Sequence, residues 1–389
     1  MTSAPAQQST APAPDTTLHP PERLLTGPGP SNPHPAVTAA LGAPMVGHLD
    51  PFFVALMDQT MANLRTLFQT ANHHTIPISG TGSCGLESLM LNLLEPGDEA
   101  IVGVIGYFGQ RLAEMARRAG ATVRIVEEPL GGIIDPARIQ AELDRRPAKV
   151  VALVHAETST GACQPLEEIG RIVRDHEALL AVDCVTSLAG MPVEIDAWGI
   201  DAAGSCSQKC IGAPPGLGPV TFGPRALDAV RTRSTPTRSW YVDLSLLFEY
   251  WGEGGGSRAR AFHHTAPVAS IYAFHRALEL IVAEGLPQRF ARHRAAHEYL
   301  VAGLDRLGLT LFTPAAHRLP MLNVVSIPEG VDDARVRSRL LDMNIEVAAG
   351  FGPLNGKAWR IGIMGYNADP ARIDRLLDGL AQVLAAERT

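Results

Sequence analysis

Of the 33 lysines and arginines in this 389-residue chain, three are lysines: Lys149, Lys209 and Lys357. Lys209 stands in Gly204-Ser205-Cys206-Ser207-Gln208-Lys209-Cys210, just ahead of the loop Ile211-Gly212-Ala213-Pro214-Pro215-Gly216. A lysine in a dry site has a lowered pKa, and its free amine can bond a carbonyl carbon. A solvated surface lysine is the plain alternative. The small neighbours of Lys209 favour the first reading, because they leave room for a bulky group. Asp183 closes the run Leu179-Leu180-Ala181-Val182-Asp183. A carboxylate there is costly to bury alone. It serves either as a turn or cap residue or as the partner of a protonated heteroaromatic nitrogen. A third stretch, Ser79-Gly80-Thr81-Gly82-Ser83-Cys84-Gly85-Leu86-Glu87, follows an apolar run and opens a helical pattern. Glycines let a ligand approach the backbone, and free amides at a helix start suit a phosphate. No Gly-Lys-Ser/Thr follows, and the glycine spacing does not fit a dinucleotide fingerprint. By itself this stretch reads equally as a Gly-rich turn.

Together the three form one constellation. An anchor for a phosphate, a carboxylate for a ring nitrogen and a lysine for an aldehyde are what pyridoxal 5'-phosphate requires.

The elements that must hold these residues are strands and helices in alternation. Short apolar runs at 76–79, 100–104, 122–126, 150–155, 179–183 and 220–222 read as buried strands, and 202–204 is strand-like. Helical patterns lie between them at 86–94, 110–119, 136–143 and 166–175. This predicts an α/β fold with a mostly parallel sheet covered on both faces, and ligands of such sheets bind outside the carboxyl ends of the strands. From 273 to 304 the pattern is continuously helical. Strand-like 323–327, 346–348 and 359–363, with helices at 333–343 and 370–386, complete a smaller α+β domain. The expected organisation is a disordered tail over 1–20, an N-terminal segment near the active site over 21–47, a large domain over 48–283 and a small domain over 284–389.

A net charge of −7 argues against a nucleic-acid or anionic-membrane partner. No apolar run is long enough to span a bilayer, and the Ala/Pro/Ser/Thr-rich start lacks the pattern of a secretory signal, so a cytoplasmic location is expected. The five cysteines form no even framework. Cys206 and Cys210 lack a second pair, so buried thiols are expected rather than a metal site. His293 and His297, at i and i+4, lack the glutamate of a zinc-protease motif and read as a solvated helix face.

At this point the chain resembles the class V, fold type I aminotransferases, closest to the alanine–glyoxylate/serine–pyruvate group. The motifs that carry the resemblance are LLTGPGPSNPHP (24–35), GTGSCGLES (80–88), LEPGDEAIV (94–102), GYFGQR (106–111), HAETSTG (155–161), VDCVTSLAG (182–190), GSCSQKCIGAPPG (204–216), FHHTAPV (262–268) and WRIGIMG (359–365). The resemblance implies a seven-stranded sheet in the large domain and a role for each matching residue. Lys209 would bond the cofactor and shuttle protons, and Asp183 would pair with the ring nitrogen. Thr81, Gly82, Ser83 and Gln208 would hold the phosphate, Phe108 would stack on the ring, and Thr158 would contact the ring oxygen. His264 and Thr265 would reach the phosphate of a neighbouring subunit, making a homodimer. Arg360 would bind the substrate carboxylate, and Gly29 would lie in the turn over the substrate. Three positions depart from the family: Phe108 replaces a tryptophan, Phe262 a tyrosine and Ser83 a histidine.

The implied reaction moves an amino group from alanine or serine to glyoxylate or pyruvate. No second arginine is evident for a side-chain carboxylate, which favours small donors. A ureidoglycine–glyoxylate or serine–glyoxylate enzyme of the same family is the alternative, and a non-catalytic cofactor-binding protein is the rival from another class. A cysteine desulfurase needs a mobile cysteine in the smaller domain, whereas all five cysteines here lie at or before Cys210.

Overall fold

The structure, a computed structural model, describes residues 18–251 and 261–387. The tail expected over 1–20 therefore lies, apart from 18–20, outside the described residues.

Among the described residues seven strands form the main sheet: β1 (His74–Ser79), β2 (Glu99–Val104), β3 (Thr122–Glu127), β4 (Val150–Val154), β5 (Leu179–Asp183), β6 (Ala202–Gly204) and β7 (Leu217–Phe222). Their spatial order is β1-β7-β6-β5-β4-β2-β3. The five strands β6-β5-β4-β2-β3 run parallel, and β7 is antiparallel to both its neighbours. Every residue of β4, β5, β6 and β7 is buried, because helices cover both faces and leave no solvent side for polar alternation. The strand order reverses between β2 and β4, which is where such sheets open a ligand crevice.

The helices 82–93 and 107–119 follow β1 and β2. A large apolar cluster runs from Val37 to Ile281 around this sheet. A second cluster joins Ala296, Leu300, Trp359, Ile361 and Leu376, and it also takes in Leu24 from the start of the chain. Its framework is a sheet of β8 (Leu322–Ser326), β9 (Ala348–Ala349) and β10 (Ala358–Gly362), in the order β8-β10-β9. Leu24–Leu25 pairs in parallel with Ile345–Glu346. The N-terminal segment thus starts in the smaller core and reaches the larger core at Val37.

Two expectations are corrected. The helical stretch 273–304 is two helices, Val268–Glu284 and Leu286–Arg306, broken at Gly285 with φ +82°. The face bearing His293 is buried: its Nδ1 faces Arg289 O at 2.9 Å, and its Nε2 accepts from Gly365 N at 3.0 Å. The neutral tautomer satisfies both contacts. No helix among the described residues is long and apolar enough to cross a membrane.

Candidate active site

The carboxyl ends of β4, β5 and β6 lie side by side, with Val154 opposite Asp183 and Asp183 opposite Gly204. The loops leaving β1, β2, β4 and β6 close a cleft of about 140 Å³ around this end of the sheet. Thr81, Gly82, Ser83, Phe108, Thr158, Asp183, Gln208 and Lys209 all line it. The sequence separates these residues by up to 128 positions, and the parallel sheet brings them together because each follows a strand's carboxyl end.

Helix 82–93 points its start into the cleft. Thr81 makes no side-chain cap bond there among the described residues, so the first amides and the Thr81 hydroxyl face the pocket. A Cβ on Gly82 would lie 2.6 Å from Cys206 Cβ, so only glycine lets this turn sit against the Lys209 loop. The Gln208 side chain carries a buried Oε1 with no hydrogen-bond partner among the described residues. Rotating its amide turns two N–H donors onto the same spot. These groups suit a phosphate.

Asp183 is 3% exposed. Its Oδ1 accepts from Val185 N at 2.8 Å and its Oδ2 from Arg111 Nη2 at 3.3 Å. Burial pushes the carboxyl above its ordinary range, while Arg111 and the Val185 amide pull it down. Lys209 Nζ donates to Pro28 O. Burial lowers its pKa, and the nearby Arg360 cation pushes the same way. Gly29, at φ +111°, packs directly on the lysine: a Cβ there would meet Lys209 Cδ at 2.6 Å. Ser31 Oγ donates to Lys209 O at 2.9 Å, tying the N-terminal segment to the same residue.

Arg360 lies on β10. Its Nε donates to Ala349 O at 2.8 Å, and its Cζ stands 5.1 Å from the Phe351 ring centroid. Tyr107 packs against Phe351 at 4.2 Å, which makes an aromatic wall beside the arginine.

His264 and Thr265 are not in the cleft of their own chain. His264 Nε2 lies 2.7 Å from Ser79 Oγ, behind the phosphate-type loop, and Thr265 is exposed. Phe262, in the position without a hydroxyl, is 65% exposed. Cys206 and Cys210 are free and buried, with thiols pushed up to about 11 and about 12 by burial.

Two residues at the site were missed. Arg111 lines the cleft, so a second arginine is present, though it is paired with Asp183. Its spacing of three from Phe108 places both on one helix face, a signal available in the sequence. Glu157 is fully buried. Its Oε2 accepts from Phe108 N at 3.0 Å and Gly109 N at 3.3 Å, and its Oε1 accepts from Ser159 N at 3.0 Å. Ser159 Oγ accepts from Tyr107 N at 3.0 Å. Glu157 and Ser159 therefore cap the helix that presents Phe108 and Arg111. Burial pushes the Glu157 carboxyl up, against a ring of donors that favours the charged form.

This fold and this set of residues define a pyridoxal-phosphate enzyme of fold type I. The family described as aminotransferase class-V matches residues 37–368, and the chain belongs to the class-V aminotransferases, which depend on pyridoxal phosphate. It is 39% identical over 383 residues to the (S)-ureidoglycine–glyoxylate transaminase of Bacillus subtilis, covering 94% of this chain and 91% of that one. It is 38% identical over 384 residues to the alanine–glyoxylate aminotransferase of Rattus norvegicus, covering 97% and 92%. The solved alanine–glyoxylate aminotransferase of Nostoc sp. superposes with a TM-score of 0.92 at 48% identity, covering 94% of this chain and 96% of that one.

Proposed function

We propose that this enzyme transfers an amino group from a small amino acid, alanine or serine, to glyoxylate or pyruvate. The observation that carries the reading is a single cleft joining Lys209, Asp183 and the start of helix 82–93. The names of its relatives support glyoxylate as the acceptor.

Pyridoxal phosphate, when bound, takes up the electron pair released at the substrate's Cα and carries the amino group between the two half-reactions. The chain's own residues supply the rest. Thr81, Gly82, Ser83 and Gln208 would hold the phosphate, Phe108 would stack on the ring, and Thr158 would contact the ring oxygen. Asp183 would accept a hydrogen bond from the ring nitrogen and keep it protonated. Lys209 Nζ, whose hold on its proton is loosened by burial, would take the proton from Cα as general base. Arg360 grips the substrate carboxylate through a planar fork, and Gly29 closes the turn above it. The aromatic wall of Tyr107 and Phe351 beside Arg360 suits a small side chain.

The enzyme acts as a homodimer in which His264 and Thr265 of one copy complete the phosphate site of the other. Trp240 and Phe262, both exposed, give that surface apolar area to bury.

A spectrum of the cofactor-loaded protein tests the reaction. L-Alanine should bleach the visible band of the bound cofactor, and glyoxylate should restore it. Lys209→Ala should lose that band and nearly all turnover. A wild-type band that serves neither alanine nor serine but bleaches with ureidoglycine would move the assignment to the second reading, which the Bacillus subtilis relative favours.

A further inference from the structure

The guanidinium of Arg111 holds three groups at once. Its Nη2 donates to Asp183 Oδ2 at 3.3 Å, its Nη1 to Ser83 Oγ at 3.2 Å, and its Cζ stands 4.7 Å over the Phe108 ring centroid. These are the groups assigned above to the ring nitrogen, the phosphate anchor and the stacking face of the cofactor. We infer that Arg111 and the cofactor ring compete for one position, so that Arg111 must release Asp183 for pyridoxal phosphate to bind. The inference rests on the proposed roles of Asp183, Ser83 and Phe108.

The geometry supports competition rather than coexistence. A ring stacked on Phe108 needs a centroid separation of roughly 4.5–7 Å. The Arg111 cation already lies within that slab. Because the same cation reaches Asp183, it covers the Asp183-facing side of Phe108. A guanidinium is also a fair mimic of a pyridinium: planar, cationic, able to stack, and donating N–H to a carboxylate. Asp183 has a strong need for such a partner, since its only other donor among the described residues is the Val185 amide and it is 3% exposed. Leaving a buried carboxylate without a cation is expensive. Arg111 can leave, because its side chain is 23% exposed and long enough to swing from the cleft-facing start of helix 107–119. In this design the free protein keeps Asp183 satisfied, and cofactor binding exchanges one cation for another.

The test uses the full chain freed of cofactor, in wild-type, Arg111→Met and Arg111→Lys forms. Melting temperatures are taken with and without pyridoxal phosphate, and cofactor dissociation constants come from absorbance titration. Arg111→Met should melt lower than wild type when cofactor-free and close to wild type when loaded. Its dissociation constant should fall about tenfold, the size of one charge-assisted hydrogen bond that no longer has to be broken. Arg111→Lys keeps the charge without the fork and should shift in the same direction by less. It also serves as the probe if Arg111→Met does not fold without cofactor. Weaker cofactor binding in both variants would overturn the inference, making Arg111 a ligand of the loaded site. Unchanged melting and affinity would overturn it too. Wild-type protein that takes up no pyridoxal phosphate would overturn the cofactor roles themselves, and the inference with them.

Discussion

Gly29→Ala is the sharpest probe of how the N-terminal segment serves Lys209. A methyl at this position would stand 2.6 Å from Lys209 Cδ, 2.8 Å from Nζ and 2.9 Å from Cε. Carbon contacts settle near ~3.5–4.0 Å, so the lysine end must retreat by roughly 1 Å. That end is flexible, so the retreat costs little stability, but it costs position. A displacement of about 1 Å at a reacting group can lower turnover ~100-fold. The backbone adds a separate penalty, since φ is +111° and an L-residue there is strained by about 1–3 kcal/mol. The control is Gly97→Ala. Gly97 has φ +93°, lies just before β2 at the end of the sheet away from the cleft, and would place no described atom within 4 Å of its new Cβ. The two variants should show similar drops in melting temperature. In an alanine–glyoxylate assay that couples pyruvate to a dehydrogenase, Gly29→Ala should lose about 100-fold in kcat and Gly97→Ala should lose almost none. Equal kcat in the two variants would refute the reasoning, because strain alone would then account for everything.

Two further predictions follow from buried ionisable groups. His155 and His293 have folded pKa values held at about 4 and about 3 by burial, below the ordinary 6.5. Their depressed values mean stability is intact above pH 6.5 and is lost as pH falls toward the folded values. Each contributes a slope of up to ~1.4 kcal/mol per pH unit in that window. Denaturant midpoints measured from pH 7 to pH 5 should decline steeply, and a flat profile would exclude this contribution. Glu157→Gln turns one acceptor oxygen into a donor facing backbone or Ser159 donors. It should destabilise the chain by about 2–3 kcal/mol. The visible circular dichroism of bound cofactor should also change, because the cap that aims Phe108 is lost; an unchanged signal would leave Glu157 with no positioning role.

Much of this architecture was legible because the parallel strands are continuous apolar runs. Strands 100–104, 122–126 and 179–183 were read to within one residue of their observed bounds. β7 was read three residues short, since Gly218-Pro219 looks like a break. Pro219 is tolerated because the ladder to β6 starts only at Val220 opposite Gly204, and Pro219 O still accepts from Ser205 N at 2.8 Å. The split at Gly285 was also visible in principle, as Gly-Leu-Pro marks an end and a restart. The loop after β1, Asp183 and Lys209 were read as residues that follow strands, while Phe108, Thr158 and Gln208 came from the family resemblance, and all of them line one cleft. Glu157 escaped because its role lies in bonds to the Phe108 and Ser159 amides, and Arg111, although its spacing from Phe108 was legible, because its contacts with Asp183 and Ser83 are not reported by one-dimensional patterning. His293 escaped for the same reason: its burial depends on Gly365, 72 residues away.

The strap that begins in the smaller core has a consequence for biosynthesis. Thr26 Oγ1 donates to Glu346 O, 320 residues further along the chain. Gly29, three residues on, rests against Lys209. Leu24 and Leu25 therefore have no strand partner until Ile345 and Glu346 have been made, whereas Ser31 can already bond Gln208 and Lys209. The large sheet, whose neighbours are closer in sequence, can assemble meanwhile, as domains folding in order of synthesis do. The strand that leads into the turn over Lys209 is consequently among the last pieces to lock, and a nascent chain stalled before Ile345 would hold that turn at its Ser31 end only.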